Sequence, residues 1–365
     1  MRSLAGRGAV GSRKPAYSRP WIWLVTSLLL IFVQACQRVA GTVTLSTQRV
    51  TSTAVSLPSF TAGLTQVIGQ SQPINPPIFT QTYTPKPTYT EPVHTPTPSP
   101  TATTSPAVVF AAIGDYGWGD QAEADVAQLI LSWQPDFIIT LGDNNYPSGV
   151  ADHMDEAVGQ FFHSYIYPYT GSYGAGADVN RFFPSLGNHD LGTDHGQPYY
   201  DYFTLPGNER YYDFTWGPLH FFALNTNDSE PDGVGASSIQ AKWLNAGLAA
   251  STSAWNIVYM HYPPYSSGLQ GSTDWTRWPY GKWGADAVLS GHDHLYERLE
   301  ESRLMYFVNG LGGGGRYDFA NIQEGSLVRY NGDYGAMRVE ATDSHILFEF
   351  INLSNKVVDS YEMGK

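Results

Sequence analysis

The chain has little cysteine and, over most of its length, few basic residues. Its 365 residues include one cysteine, Cys36, so no disulfide can form within the chain and a cysteine-rich structural zinc site is excluded. From Ala107 onward there are 12 basic and 32 acidic residues, a formal charge of −20. Because so acidic a domain lacks the basic surface that binds a phosphate backbone, we expect no nucleic-acid partner. An anionic substrate would need local positive charge from a bound metal.

The N-terminal segment carries an apolar run that is too short to span a bilayer. Five basic residues precede the run Trp21 to Val33, whose 13 residues suit a signal-peptide core and fall short of the roughly 20 that a transmembrane helix needs. The run ends in Val-Gln-Ala-Cys, which resembles a bacterial lipobox. We therefore predict a lipoprotein-type signal peptide over residues 1–36, with lipidation at Cys36 and a position on the outer face of the cell membrane. A plain signal peptide cut near Ala35, which would give a secreted protein, and an uncleaved anchor are the alternatives, and each implies export.

Acidic residues are almost missing from the first 106 positions, where Glu91 is the only one. Residues 37–106 are rich in Thr, Ser and Pro instead. Such a composition cannot bury a core, so we predict a disordered linker that holds a domain away from a membrane. A single folded domain is predicted over residues 107–365.

Two apolar runs in this domain are each followed by Gly-Asp. Val108 to Ile113 leads into Asp115, and Phe137 to Leu141 leads into Asp143. The segment between the runs has helical periodicity, and a β-α-β order implies a parallel pair with both acids at the same edge of a sheet. Taken alone, residues 140–147 would equally suit a tight turn.

Six more polar side chains follow predicted strands or lie beside these acids. Together the eight offer carboxylate, imidazole, phenol and amide groups, which suit borderline to hard metals. Two ions about 3.5 to 4 Å apart, bridged by one carboxylate, would use seven of them and leave one for proton transfer. The six are Tyr146, three residues after Asp143, Asn188 and His189 after residues 181–186, His261 after residues 255–260, and His292 and His294 after residues 288–290.

The rest of the domain carries weaker signals. We predict a long irregular insertion over residues 148–180, in which His153 and His163 are structural or surface residues. A hairpin is predicted over residues 211–225, and Ser237 with Gln240 is typical of a capping box ahead of a helix. Strands near residues 334–340, 346–352 and 356–361 are expected to close a second sheet.

In order and spacing, the polar segments resemble the calcineurin-like metallophosphoesterase superfamily, and in particular the purple acid phosphatases of the short, tartrate-resistant type. The shared motifs are Gly-Asp-x-Gly, Gly-Asp-x-x-Tyr, Gly-Asn-His-Asp, a histidine at a strand end, and Gly-His-x-His, spread over roughly residues 108–352. The resemblance implies an α/β fold, a four-layer α/β/β/α sandwich of two mixed sheets with its active site at the carboxyl ends of the strands.

The resemblance also implies a ligand set and a reaction. Fe(III) would be held by Asp115, Asp143, Tyr146 and His294, and a second, divalent ion (Fe, Zn or Mn) by Asp143, Asn188, His261 and His292. Asp143 would bridge the two ions. The implied activity is that of an acid phosphatase, which hydrolyses small phosphate monoesters by attack of a metal-bound hydroxide while His189 supplies a proton to the leaving group.

One position departs from the family pattern. Animal members carry a second histidine about nine residues after the equivalent of His261, and the residue there is Gln270. Unless His195 or another loop residue substitutes, one contact to the leaving group is lost, which leaves the acid pH optimum open. The competing hypotheses are a metallophosphodiesterase or nucleotidase on the same fold, and a non-catalytic protein of the cell surface.

Overall fold

The computed structural model describes residues 107–365. The predicted signal peptide, the lipidation site at Cys36 and the linker over residues 37–106 lie outside the described residues. In the described part of the chain, none of the helices combines the length and the apolar character that crossing a membrane requires.

The first sheet has six strands in the order β13-β12-β11-β1-β2-β3. β1, β2 and β3 are parallel, whereas β11, β12 and β13 run antiparallel to their neighbours. Because the three parallel strands point the same way, the loops after them meet at one edge. The bounds are β1 Val108–Ile113, β2 Phe137–Thr140, β3 Phe182–Pro184, β11 Gly335–Ala341, β12 His345–Asn352 and β13 Val357–Gly364.

The position of β11 to β13 corrects the sequence prediction. These strands were expected to close a second sheet, but β11 pairs with β1, with Ala111 opposite Arg338. The alternating pattern identifies three adjacent strands without indicating which sheet edge is free. β1 has one edge taken by β2, and β11 satisfies the backbone groups of the other.

The second sheet has seven strands in the order β10-β8-β9-β7-β6-β5-β4. Its centre, from β5 through β6 and β7 to β9, is parallel. β4 and β5 form the predicted hairpin, which turns at Gly217-Pro218. The bounds are β4 Tyr212–Trp216, β5 Leu219–Ala223, β6 Trp255–Met260, β7 Ala287–Ser290, β8 Tyr296–Glu301, β9 Leu304–Asn309 and β10 Ser326–Tyr330.

The two sheets pack face to face and helices cover their outer sides. Phe110 of β1 meets Phe221 of β5 edge-on, with ring centroids 5.0 Å apart. The neighbouring Phe222 points to the other side of β5, where it packs with Leu244 and Leu248 of a helix. Successive side chains of β5 thus point alternately into two separate hydrophobic layers. The predicted four-layer α/β/β/α architecture is confirmed. The helices are α1 Gln121–Ser132, α2 Ala151–Met154, α3 Gln160–Phe162, α4 Gln197–Tyr202, α5 Ile239–Ala250 and α6 Tyr280–Trp283.

Helix starts follow the capping rule, with one shift. Asp120 caps α1 by accepting hydrogen bonds from the N–H groups of residues 122 and 123. The cap of α5 is Ser238 rather than Ser237, and the Gln240 side chain bonds to the backbone of Asn225 instead of closing a capping box. Both residues of the pair Ser237-Ser238 can cap a helix, so the pattern alone did not separate them.

The insertion after β2 is more regular than predicted. Residues 151–165 form consecutive helical turns, α2 and α3 among them, joined by a π-helical turn at Asp155–Gly159. The Asp155 side chain accepts hydrogen bonds from the hydroxyls of Tyr169 and Tyr202, so it ties the insertion to α4. The helical turns were not predicted because the many Tyr and Gly residues of the insertion obscure the helical periodicity of its apolar residues.

Candidate metal centre

Five strand ends bring the eight predicted side chains to one place. Three of the ends belong to the first sheet and two to the second, so the site lies where the parallel parts of both sheets end. β1 delivers Asp115, β2 delivers Asp143 and Tyr146, β3 delivers Asn188 and His189, β6 delivers His261, and β7 delivers His292 and His294.

Three of these residues have left-handed backbone. The φ angles are 58° at Asp115, 56° at Asp143 and 69° at His292. Residues other than glycine seldom adopt such angles, and they concentrate at functional sites. The sharp turn directly after each strand brings the side chain back towards the sheet edge.

A first group of donor atoms surrounds the Tyr146 hydroxyl. This oxygen lies 2.9 Å from Asp143 Oδ2, 3.2 Å from His294 Nε2 and 3.5 Å from Asp115 Oδ1. All four side chains are buried, and Tyr146 is only 2% exposed. Oxygen and nitrogen atoms from three strands therefore converge out of contact with bulk water.

A second group surrounds His261 Nε2. This nitrogen lies 3.0 Å from Asn188 Oδ1, 3.2 Å from His292 Nδ1 and 3.4 Å from Asp143 Oδ2. Asp143 Oδ2 thus belongs to both groups. The ligand atoms of Asp115, Asp143 and His261 all lie within 4.8 Å of one another.

Backbone carbonyls orient two of the imidazole rings. Nδ1 of His261 donates to the Leu141 carbonyl at 2.8 Å, and Nδ1 of His294 donates to the carbonyl of Gly315. Since a carbonyl only accepts, each Nδ1 carries a hydrogen, which leaves each Nε2 as the ring nitrogen that faces the site. Metal-binding histidines are commonly held in this way.

The electrostatics of the two groups favour a bound cation. Burial, together with the Asp115 and Asp143 carboxylates, raises the pKa of the Tyr146 phenol far above its usual range. Burial and the neighbouring His261 lower the pKa of His292 to about 3, so its ring is neutral. Lone pairs and carboxylates that face one another at 3 to 3.5 Å repel unless a proton or a cation lies between them. The donor set therefore fits a metal centre of oxygen and imidazole ligands.

His189 lies beside these groups and is accessible to solvent. Its side chain is 37% exposed, and its Nε2 is 3.9 Å from Asp143 Oδ2. The ring lies 4.4 Å from the Tyr146 ring, and Nδ1 bonds to the Pro147 carbonyl at 2.5 Å. Nε2 is therefore the nitrogen that can meet a ligand from solution.

Sequence reasoning missed the residues that hold the loops together. Asn144 is fully buried and donates from its side chain to Asp190 Oδ2 at 2.8 Å, joining the loop after β2 to the loop after β3. Asp293, between His292 and His294, is likewise buried. Asp190 and Asp293 each occupy a motif position for which no role was predicted. A polar residue without an assigned role inside a motif is the signal that could have identified them.

An exposed indole covers one ligand candidate. Trp118 stacks on Tyr146 with ring centroids 4.7 Å apart and an interplanar angle of 2°, and it is 42% exposed. Its position after the Gly-Asp-x-Gly motif carried no signal, because the contact depends on the fold of the loop after β1.

The other histidines that the structure describes do not join the two groups. His153 bonds to Asn145, His163 bonds to the carbonyl of residue 175, and His345 pairs with Glu362. His195 lines a cavity of about 340 Å³ that none of the eight candidate residues borders. This cavity brings His195 into contact with neither group of donor atoms.

A family model for the calcineurin-like phosphoesterases matches residues 108–296. The chain belongs to this family. Among curated proteins, this calcineurin-like phosphoesterase is similar to tartrate-resistant acid phosphatase type 5 of Homo sapiens, 26% identical over 250 residues, which covers 57% of this chain and 74% of that protein. It is also similar to purple acid phosphatase 3 of Arabidopsis thaliana, 24% identical over 303 residues, which covers 71% and 78%.

Two solved structures share the fold of this calcineurin-like phosphoesterase. Purple acid phosphatase PPD1 from yellow lupin superposes with a TM-score of 0.57 at 19% identity, over 71% of this chain and 54% of that one. GAP50, the anchor in the inner membrane complex of Plasmodium, gives 0.55 at 18% identity, over 71% and 89%. The predicted family and the enzyme class, a metal-dependent phosphoester hydrolase, are confirmed.

Proposed function

We propose that this calcineurin-like phosphoesterase is an exported acid phosphatase that hydrolyses small phosphate monoesters with two metal ions. The observation that carries the proposal is the sharing of Asp143 Oδ2 between two groups of buried donor atoms, 2.9 Å from the Tyr146 hydroxyl and 3.4 Å from His261 Nε2. One carboxylate between two donor sets is what a pair of ions requires. The acid phosphatases among its relatives support the choice of reaction.

The two donor sets differ in chemistry, which supports a different ion in each. Asp115, Asp143, Tyr146 and His294 combine two carboxylates with a phenol, and this set suits Fe(III). Asp143, Asn188, His261 and His292 offer one carboxylate, an amide oxygen and two imidazoles, which suits divalent Fe, Zn or Mn. When bound, such a pair lowers the pKa of water and neutralises charge on a phosphoryl group.

The other roles in the reaction fall to backbone and side-chain groups of the protein. Leu141 and Gly315 hold His261 and His294 in one tautomer through their carbonyls. His189 directs Nε2 outward, where it can donate a proton to the oxygen of a departing alcohol. Asp115 and Asp143 are buried, which keeps bulk water away from the carboxylates of the site.

The decisive experiment removes the proposed proton donor without touching the donor sets. His189→Ala should lower the rate of phosphate release from an alkyl monoester by roughly 100-fold or more, because general acid catalysis contributes about that much. An aryl monoester, whose leaving group needs less protonation, should lose less. Bound metal, measured by elemental analysis, should stay at the wild-type level.

His163→Ala is the matched control, since His163 lies in the insertion and bonds only to a backbone carbonyl. A visible spectrum of the same preparations tests the ferric ion, because an iron-bound tyrosinate absorbs visible light and Tyr146→Phe should bleach the band. Unchanged phosphate release in His189→Ala would refute the assigned role. A colourless wild type with stoichiometric iron would refute the Tyr146 ligand.

A further inference from the structure

The metal centre is open to solvent on the side of its second group of donor atoms. The four side chains of the first group are all buried. In the second group, Asn188 and His292 keep part of their surface exposed, and so does the neighbouring His189. A ligand from solution therefore approaches the centre past these three residues.

An aromatic side chain lies against this open part of the centre. The Tyr262 ring packs on the His292 ring, with centroids 4.3 Å apart and an interplanar angle of 53°. The Tyr262 N–H donates to the Thr226 hydroxyl at 3.0 Å, which fixes the backbone directly after His261. Tyr262 is itself partly exposed, so its ring forms part of the border of the opening.

Trp275 continues this border away from the candidate ligands. It lies in the loop between β6 and α6, and its ring centroid is 5.9 Å from that of Tyr262. The indole N–H donates to the Thr226 carbonyl at 3.0 Å, although 44% of Trp275 stays exposed. Thr226 thus holds both aromatic residues, one through its hydroxyl and the other through its carbonyl. We call Tyr262 and Trp275 the aromatic wall.

We propose that the aromatic wall binds the leaving group of the substrate, and that Trp275 gives the enzyme a preference for phosphate monoesters with a flat aromatic leaving group. Aromatic side chains commonly line the part of a site that receives the organic portion of a ligand. The indole N–H already bonds to Thr226, so what Trp275 offers a ligand is its flat apolar face, which stacks on another ring. The inference rests on the proposed function, since it places a monoester at the two-metal centre.

The test compares the hydrolysis of benzyl phosphate with that of methyl phosphate. Both esters release a primary alcohol, so they make a similar demand on the proton donor, and only the benzyl ester carries a ring. Trp275→Ala should lower the ratio of kcat/KM for benzyl over methyl phosphate roughly 3- to 10-fold, as expected for the loss of one aromatic pair. Trp275→Phe also loses the bond to Thr226 but keeps a flat ring, so its ratio should stay within about twofold of the wild type.

Tyr173→Ala is the matched control. Tyr173 is an aromatic residue of the insertion with the same exposed fraction, 44%, and its N–H bonds to the Tyr169 hydroxyl. This variant should keep the wild-type ratio. An equal fall for both esters in Trp275→Ala would overturn the proposal, because the indole would then act on the metal centre and not on the leaving group. An unchanged ratio in an active Trp275→Ala would also overturn it, while the proposed function would stand.

A binding measurement separates the aromatic wall from the proposed function. Benzylphosphonate and methylphosphonate contain a carbon–phosphorus bond in place of the ester bond, so their affinities for the metal-loaded protein can be measured by calorimetry without hydrolysis. Trp275→Ala should weaken the binding of benzylphosphonate roughly 3- to 10-fold more than that of methylphosphonate. If the wild type hydrolyses neither ester and this difference in binding is still found, the proposed function fails and the aromatic wall stands.

Discussion

Glycine at position 187 leaves room for the carboxylate that both donor groups share. A Cβ at this position would lie 2.1 Å from Asp143 Oδ1 and 2.2 Å from the Asp143 backbone nitrogen. Gly187 does not have a left-handed backbone, so Gly187→Ala adds no conformational strain of its own. Its effect would come from the displacement of Asp143.

The magnitude follows from these distances. To restore an ordinary contact, Asp143 Oδ1 has to move by about 1 Å. Metal–ligand distances tolerate only about 0.2 Å. Loss of a residue that merely supports a ligand costs 10- to 100-fold in metal affinity, so displacement of the ligand itself should cost at least about 100-fold. Because Asp143 belongs to both groups, both ions should be lost together.

The assay is elemental analysis after dialysis against a weak chelator, with thermal unfolding recorded in parallel. Gly291→Ala is the matched variant, since its Cβ would lie 2.5 Å from Asp115 Oδ2 and Asp115 belongs to one group only. It should lose one ion and keep the other. In Gly315→Ala the new methyl meets nothing within 4 Å, so both ions should remain. Retention of both ions by Gly187→Ala would refute the assignment of Asp143 as the shared ligand.

Two further predictions concern stability and attachment. Asp359→Asn should lower the free energy of unfolding, measured by urea titration, by about 3 kcal/mol, because it breaks a largely buried ion pair with Arg298 that joins β13 to β8. Glu340→Gln, at a more exposed pair with Arg338, should lower it by under about 1 kcal/mol in the same titration. Equal losses in the two variants would contradict this ranking. Cys36→Ser should move the protein from the membrane fraction to the soluble fraction of producing cells, and unchanged fractionation would exclude lipidation at Cys36 as the anchor.

That the candidate residues converge could be predicted from sequence, because the loops that carry them follow recognisable strands. Asp115 and Asp143 come directly after apolar runs with Gly-Asp, and the parallel order places their loops together. The contacts that hold the loops together could not be predicted in the same way. The bond from Asn144 to Asp190 joins residues 46 positions apart, and no local pattern records such a contact.

The errors in the fold have a similar origin. β11 was recognised as a strand, but its pairing with β1 depends on which sheet edge stayed open after the rest of the chain had folded. The Gln240 side chain was expected to close a cap, yet it bonds to the backbone of Asn225, which the fold brings beside it. The local sequence thus predicted which segments form helices and strands, whereas the tertiary arrangement determined which strands pair and which groups form hydrogen bonds.

The direction of β1 determines how the enzyme can be fixed to a solid support. Val108 begins the strand and Asp115 follows its other end, so about 20 Å separate them at roughly 3.3 Å per residue. A linkage made ahead of Ala107 meets the domain at the amino end of this strand, at the far end from the Asp115 edge. Immobilisation through the N-terminal side should therefore leave the catalytic edge open to dissolved reagents, which makes that side the better choice for a reusable preparation.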